Sequence, residues 1–163
     1  MSRFMSTIEG KIDAKGRVSV PAAFRAAIIA QSGDTGDQPS IFIYSSFTEP
    51  TIEGGGPALY RTYSEMLNRL DPFSEEYESM SDALFGGGSI LTFDAEGRVS
   101  LPEPLLAHAG IDKTLCFVGM GERFRIWKPE TYAAYRPRAR AKALENRNLL
   151  RSLASGPPGE VTR

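Results

Sequence analysis

Asp13-Ala14-Lys15-Gly16-Arg17-Val18-Ser19-Val20-Pro21 returns later in the chain as Asp94-Ala95-Glu96-Gly97-Arg98-Val99-Ser100-Leu101-Pro102. Seven of the nine positions are identical; Lys15 gives way to Glu96 and Val20 to Leu101. Each copy follows an apolar alternation and precedes a short apolar helical pattern, so the chain reads as one supersecondary unit used twice. Within a copy, Asp13 suits the first position of a tight turn, where its carboxylate bonds backbone N–H groups, and Gly16 supplies a positive φ. Val18 and Val20 then share one face of the return strand and Arg17 and Ser19 the other. With the valines inward, Arg17 points outward. The same alternation sets Arg98 and Ser100 opposite Val99 and Leu101. Pro21 and Pro102 end their strands because proline cannot donate to a ladder. The expectation is a duplicated hairpin with an arginine at its tip.

Outward from the first copy, Phe4, Ile8 and Ile12 fall on alternate positions of a strand. After Pro21, Phe24, Ala27 and Ile28 stand at helical spacing over 22–30. A Gly/Asp/Pro-rich loop over 32–40 leads to the short buried strand Ile41-Phe42-Ile43-Tyr44, and a weak strand is expected over 51–53. Gly54-Gly55-Gly56 lacks a following Lys-Ser/Thr pair, so it reads as a flexible turn and not as a phosphate loop. Leu59, Tyr60, Tyr63, Met66, Leu67 and Leu70 form a helical stripe over 58–70, closed by Asp71-Pro72. Ser74 suits the cap of a second helix over 75–84, with Glu75 and Glu76 in its first turn.

Gly86-Gly87-Gly88 separates the repeats. Leu91 and Phe93 lead into Asp94, and a helix over 103–110 carries Leu105, Leu106 and Ala109 with Gly110 as its C-terminal cap. Strands over 115–119 and 123–127 form a second hairpin around Met120-Gly121-Glu122. Phe124 and Ile126 give it an apolar face, and Arg123, Arg125 and Trp127 one that can carry charge. A helix begins near Pro129, with Tyr132 and Tyr135 on its packing side, and Pro137 is expected to kink or interrupt it. From 138 to 153 the chain is rich in Ala, Leu and Arg, and two readings stand: a second nucleic-acid contact or a solvated helix face. The organisation expected is a first unit over 3–84, a second over 85–154 with the C-terminal helical segment, and a flexible tail over 155–163.

A net charge of −1 and a pI near 5.9 exclude an overall basic field but leave room for a local basic patch. No apolar run is long enough to span a bilayer, and the stretch from Met1 to Thr7 lacks the apolar core of a secretory signal, so a cytoplasmic protein is expected. The single cysteine, Cys116, sits in the apolar run Leu115-Cys116-Phe117-Val118 and reads as a buried small hydrophobe. His108, the one histidine, has no second ligand at metal spacing and reads as a surface residue. No nucleophile with a base beside it, metal cluster or phosphate loop is present, so no enzyme, cofactor, metal or small-molecule substrate is expected.

An outward arginine at the mouth of a rigid hairpin suits phosphate or guanine, because a guanidinium offers a planar fork of donors. Asp13 or Asp94 can hold that fork in one rotamer, lowering the ordering cost of binding. Lys15 adds a charge to the first loop that Glu96 removes from the second. The plainer reading, that Asp-x-x-Gly-Arg is simply a good hairpin turn, stands beside this one.

The two Asp-x-x-x-Arg motifs, each followed by Val-Ser-Val/Leu-Pro, and the Arg-Phe-Arg-Ile-Trp segment at 123–127 resemble the MraZ family of bacterial transcriptional regulators. The resemblance spans most of residues 3–150. It implies a mainly β, α+β fold: a pseudo-twofold swapped-hairpin barrel of two AbrB-like (SpoVT/AbrB) half-units. It also implies ring-shaped homo-oligomers that bind double-stranded DNA at short direct repeats, upstream of the division and cell-wall gene cluster, in the cytoplasm at the nucleoid. The motif maps onto Asp13 and Arg17 and onto Asp94 and Arg98; with Lys15 these are the expected DNA-binding residues. One departure from repeat symmetry is Arg25, whose counterpart is Leu106. A competing reading is an AbrB-like protein-interaction module of the antitoxin type.

Overall fold

The turn that opens each repeat forms as the residue types require, but the strands beside it exchange partners. The computed structural model describes residues 3–33 and 38–155. Gly16 and Gly97 adopt φ of 78° and 77°, and Gly16 and Gly97 donate to the carbonyls of Asp13 and Asp94 at 3.0 and 3.1 Å. Beyond the turn, β1 (Thr7–Lys11) and β2 (Arg17–Ser19) form no ladder among the described residues; Ile12, one residue past β1, makes an isolated bridge to Val18. β2 pairs instead, antiparallel, with β6 (Arg98–Ser100), Val18 facing Val99. The first repeat thus completes its ribbon with the second. Turn chemistry alone suits a simple hairpin within each copy; the exchange between copies is the one that the family resemblance implies.

The remaining strands are β3 (Ser40–Ser45), β4 (Ile52–Gly55), β5 (Ser89–Thr92), β7 (Thr114–Gly119) and β8 (Phe124–Trp127). With β1 they form an antiparallel sheet in the order β1-β7-β8-β4-β3-β5. Exchanging β1 with β5, β3 with β7 and β4 with β8 reproduces that order, so the duplication in sequence is a pseudo-twofold in topology. The fold is α+β. Because β2 continues from the edge strand β1 and β6 from the edge strand β5, the two-stranded ribbon links the two edges of the sheet through the chain.

One core lies between ribbon and sheet. Val18, Val20, Val99 and Leu101 of the ribbon meet Ile41, Ile43, Leu115, Phe117, Phe124 and Ile126 of the sheet. α1 (Ala22–Ser32) and α4 (Glu103–Ala109) add Phe24, Ala27, Ile28, Leu105, Leu106 and Ala109 at helical spacing. Gly110 caps α4 with φ of 66°. A second core is built on Phe42 and Tyr44, which alternate with Ile41 and Ile43 along β3. They pack with Leu59 and Leu67 of α2 (Pro57–Leu67) and with Leu84. Burial on both faces explains why β3 reads as a continuous apolar run.

Two local expectations change here. The helix expected over 58–70 ends at Leu67, and the one over 75–84 is α3 (Glu75–Ser81), capped by Ser74 as its Oγ accepts from the Tyr77 N–H at 3.1 Å, followed by a π-helical turn over Asp82–Gly86. Gly54 and Gly55 are no flexible turn: both are buried in β4. A Cβ on Gly54 would fall 2.8 Å from Ile43 and 3.1 Å from Phe124, and one on Gly55 would fall 2.8 Å from Leu59. Backbone approach, not flexibility, selects glycine there.

The charged face expected of β8 is also corrected. Arg125 is only 6% exposed, and Trp127 is fully buried. β4 pairs with β8 so that Glu53 faces Arg125, and the Glu53 carboxylate accepts from Arg125 Nε at 3.3 Å. The Tyr44 hydroxyl donates to Glu53 Oε1 at 3.2 Å and meets the Tyr63 hydroxyl at 3.0 Å. Arg123 Nη1 lies 3.5 Å from Glu53. Burial first, and then the Tyr63 hydroxyl and the Glu53 carboxylate, push the Tyr44 phenol well above its ordinary value.

The chain falls into two compact units, Met1–Pro129 and Glu130–Arg163. In the second, α5 (Pro129–Glu145) runs without interruption through Pro137, and α6 (Leu149–Ser155) follows. Proline removes one rung of the helix, but Ala133, whose carbonyl loses that bond, is exposed, so water can take its place. The tail expected from 155 lies, from residue 156 on, outside the described residues.

Candidate nucleic-acid interface

In each loop one aspartate does two jobs with its two oxygens. Asp13 Oδ1 accepts from the backbone N–H groups of Lys15 at 3.0 Å and Arg17 at 2.8 Å, which fixes the turn. Its Oδ2 accepts from Arg17 Nε at 2.8 Å, which fixes the side chain. Asp94 repeats this with Glu96 N–H at 2.9 Å, Arg98 N–H at 2.9 Å and Arg98 Nε at 2.8 Å. Gripping the guanidinium at Nε leaves the two terminal nitrogens facing away from the aspartate. Those are the pair that a guanine edge or a phosphate engages side by side.

The register gathers the two motifs. Arg17 faces Ser100, Ser19 faces Arg98, and the side chains of these four share the side of the ribbon opposite the buried Val18 and Val99. Arg17 and Arg98 are diagonal neighbours, a spacing of about 7–8 Å. Each turn is also locked to the other repeat: Leu101 N–H donates to Gly16 O at 2.9 Å, and Val20 N–H to Gly97 O at 3.2 Å. The four motif residues named from the sequence therefore sit in one pseudo-symmetric constellation, with Lys15 at the first turn.

Electrostatics follow from this geometry. The backbone bond from Arg17 and, against some desolvation, its side-chain bond hold the Asp13 carboxyl below its ordinary 3.8, and Arg98 does the same for Asp94. Arg98 is held above its ordinary value, first by Asp94 and to a smaller degree by the charge of Asp13 across the ribbon. A carboxylate lowered on folding stabilises fully above its unfolded value and loses that contribution as pH falls through the lowered one. Both turns are therefore expected to persist through pH 5. An acid titration of the Lys15 and Arg17 amide shifts checks this, and a midpoint at or above the ordinary aspartate value would contradict it.

The two loops are not equivalent. Arg98 Nη2 contacts Glu96 at 3.3 Å; Lys15 stands at the matching place in the first loop. Lys11 and Lys113 line a cleft with Asp13. Arg25, reaching from α1, lays its guanidinium over Gly97, in the space a Cβ there would take, and lines a cleft with Asp94 and Glu96. Sequence reasoning did not place Arg25 at the second loop, although the Arg25/Leu106 asymmetry was the signal. Leu106 is buried in the core instead. Among the described residues no group of three His, Cys, Asp or Glu could hold a metal ion, and no helix is long and apolar enough to cross a membrane.

Residues 84–152 match the family described as "MraZ protein, putative antitoxin-like". Proteins named "Transcriptional regulator MraZ" are similar over nearly the whole chain. The one from Parvibaculum lavamentivorans is 46% identical over 93% of this chain and 92% of its own length. The chain belongs to the MraZ family. The Azorhizobium caulinodans member is 40% identical over 98% of this chain and 97% of its own length, and that of Rickettsia bellii 40% over 93% and 99%. Both Asp-x-x-x-Arg turns lie within the stretch that the Azorhizobium relative covers, so the swapped ribbon described above is that of an MraZ family chain.

Proposed function

We propose that this protein is a sequence-specific DNA-binding transcriptional regulator whose reading residues are Arg17 and Arg98, oriented by Asp13 and Asp94 and assisted by Lys15. One observation carries the reading: two arginines share the outer face of one ribbon, each gripped at Nε by its own aspartate, with the Arg17 fork clear of that grip and the Arg98 fork lent in part to Glu96. Forks fixed in this way lose little side-chain entropy on binding. The names of the relatives support a regulatory role. Residues 3–84 and 85–154 are then two AbrB-like halves, and their swapped ribbon does within one chain what a homodimer of single units would do.

Ring assembly on short direct repeats upstream of the division and cell-wall gene cluster completes the proposal. Several weak contacts on one DNA gain avidity without an overall basic composition. Such a regulator works where the DNA is, in the cytoplasm at the nucleoid. The antitoxin wording of the family description favours a second reading, a protein-interaction module.

Fluorescence anisotropy on DNA upstream of the protein's own gene, against scrambled DNA, separates the two. The proposal predicts preference for the native sequence, with Arg17→Ala costing more affinity than Arg98→Ala, because Arg98 shares its fork with Glu96. Binding that shows no preference over scrambled DNA at low salt would favour the interaction module, and equal losses would remove the ranking of the loops.

A further inference from the structure

Charge is divided unevenly between the two compact units. Met1–Pro129, which holds both reading loops, carries 12 Lys/Arg against 17 Asp/Glu, a net of −5; Glu130–Arg163 carries 7 against 3, a net of +4. A surface net negative by five repels a polyanion, and the reading arginines are each tied to a carboxylate. Sequence reading and attraction are separable tasks, since base contacts specify while phosphate contacts supply most of the salt-dependent affinity. The unit that reads is poorly charged to attract.

We infer that the helical segment α5–α6 is a second DNA-binding element, which contacts phosphates without regard to sequence through Arg136, Arg138, Arg140, Lys142, Arg147 and Arg151. The inference rests on the DNA-binding reading above and adds to it. All six side chains are exposed. Five are arginines, whose planar forks suit phosphate oxygens. Two are steadied by aromatic rings: the Arg136 guanidinium lies 6.0 Å from the Tyr132 ring and that of Arg138 5.2 Å from the Tyr135 ring. Lys142 pairs with Glu145 at 3.7 Å, an exposed contact of little worth that a phosphate can replace. Arg147 donates to the Leu144 carbonyl at 3.1 Å through one terminal nitrogen, Nη1. Tethering to the reading unit raises the local concentration of these cations once the loops engage.

The same segment exposes Leu144, Leu149, Leu150 and Leu153, which phosphates do not use, so the test must also register self-association. In the full-length chain, Arg136→Gln/Arg140→Gln/Lys142→Gln removes three charges from exposed helical positions and keeps good helix formers. Anisotropy against native and scrambled DNA across a salt series is expected to show the slope of log affinity on log salt shallower by about 2–3. Affinity at 0.1 M salt should fall on the order of 100-fold for both DNAs, leaving their ratio unchanged. Arg136→Lys/Arg140→Lys should keep the slope. An unchanged slope in the glutamine variant, with wild type binding normally, overturns the inference and leaves the loop reading intact. So does a change in mass by light scattering without a change in slope, which would make this a self-association face. Wild type that binds no DNA overturns both.

Discussion

Arg125→Met is expected to destabilise the fold by about 3–5 kcal/mol, the usual cost of stranding one member of a buried ion pair. Glu53 and Arg125 are 4% and 6% exposed. With Arg125 gone, Glu53 keeps the Tyr44 hydroxyl and the longer, half-exposed contact to Arg123. The Arg125 bond to Thr48 Oγ1, at 3.3 Å, goes as well. Such a loss is a large part of the roughly 5–15 kcal/mol that holds an ordinary domain together. The companion variant Glu53→Gln/Arg125→Met removes the stranded charge and should recover most of the loss. Urea unfolding of both decides the matter: if the double is no more stable than the single, the cost lies in packing against Trp127 and not in an uncompensated carboxylate. The pair joins β4 to β8, the two strands on either side of the pseudo-twofold, so the network fastens one repeat to the other.

Phe124→Ala is expected to cost about 3–5 kcal/mol by leaving a cavity in the first core. Its ring is fully buried, 5.0 Å from Phe4, 5.4 Å from Phe24 and 6.1 Å from Phe117, centroid to centroid. It therefore ties the N-terminal segment, α1 and the β7–β8 hairpin in one cluster. Phe124→Leu keeps most of the volume and should cost under about 1.5 kcal/mol. Thermal melts should rank the variants in that order. Near-equal losses would mean that the ring contacts, and not the cavity, set the cost.

The geometry of the candidate site was more legible in the sequence than the packing around it. Asp13, Gly16 and Arg17 act within five residues of one another, so local turn chemistry and strand alternation suffice to predict an outward arginine and an inward valine. The repeat then carries the prediction to Asp94, Gly97 and Arg98. Arg125 read as surface because its partner Glu53 lies 72 positions away, and no local pattern links them. Gly54-Gly55 read as a turn because glycine marks both turns and close backbone approach; Ile43, Phe124 and Leu59, which crowd them, are remote in sequence. Turn chemistry could not show that β2 leaves β1 for β6 either, since the same turn serves a simple and a swapped hairpin; that came from the family resemblance. Arg25 stands out in the sequence as an asymmetry between repeats, but its place over Gly97 depends on how α1 packs across the ribbon.

If the two gripped arginines read DNA, removing both must abolish selective binding. The most direct measurement is an anisotropy titration of Arg17→Ala/Arg98→Ala on DNA upstream of the protein's own gene, with the melting temperature recorded alongside. Each arginine, if it engages a base edge, accounts for about 1–3 kcal/mol. The folded double variant should therefore lose at least about 2 kcal/mol, roughly thirtyfold in affinity, together with its preference over scrambled DNA. Undiminished, still selective binding by a folded double variant would contradict the account.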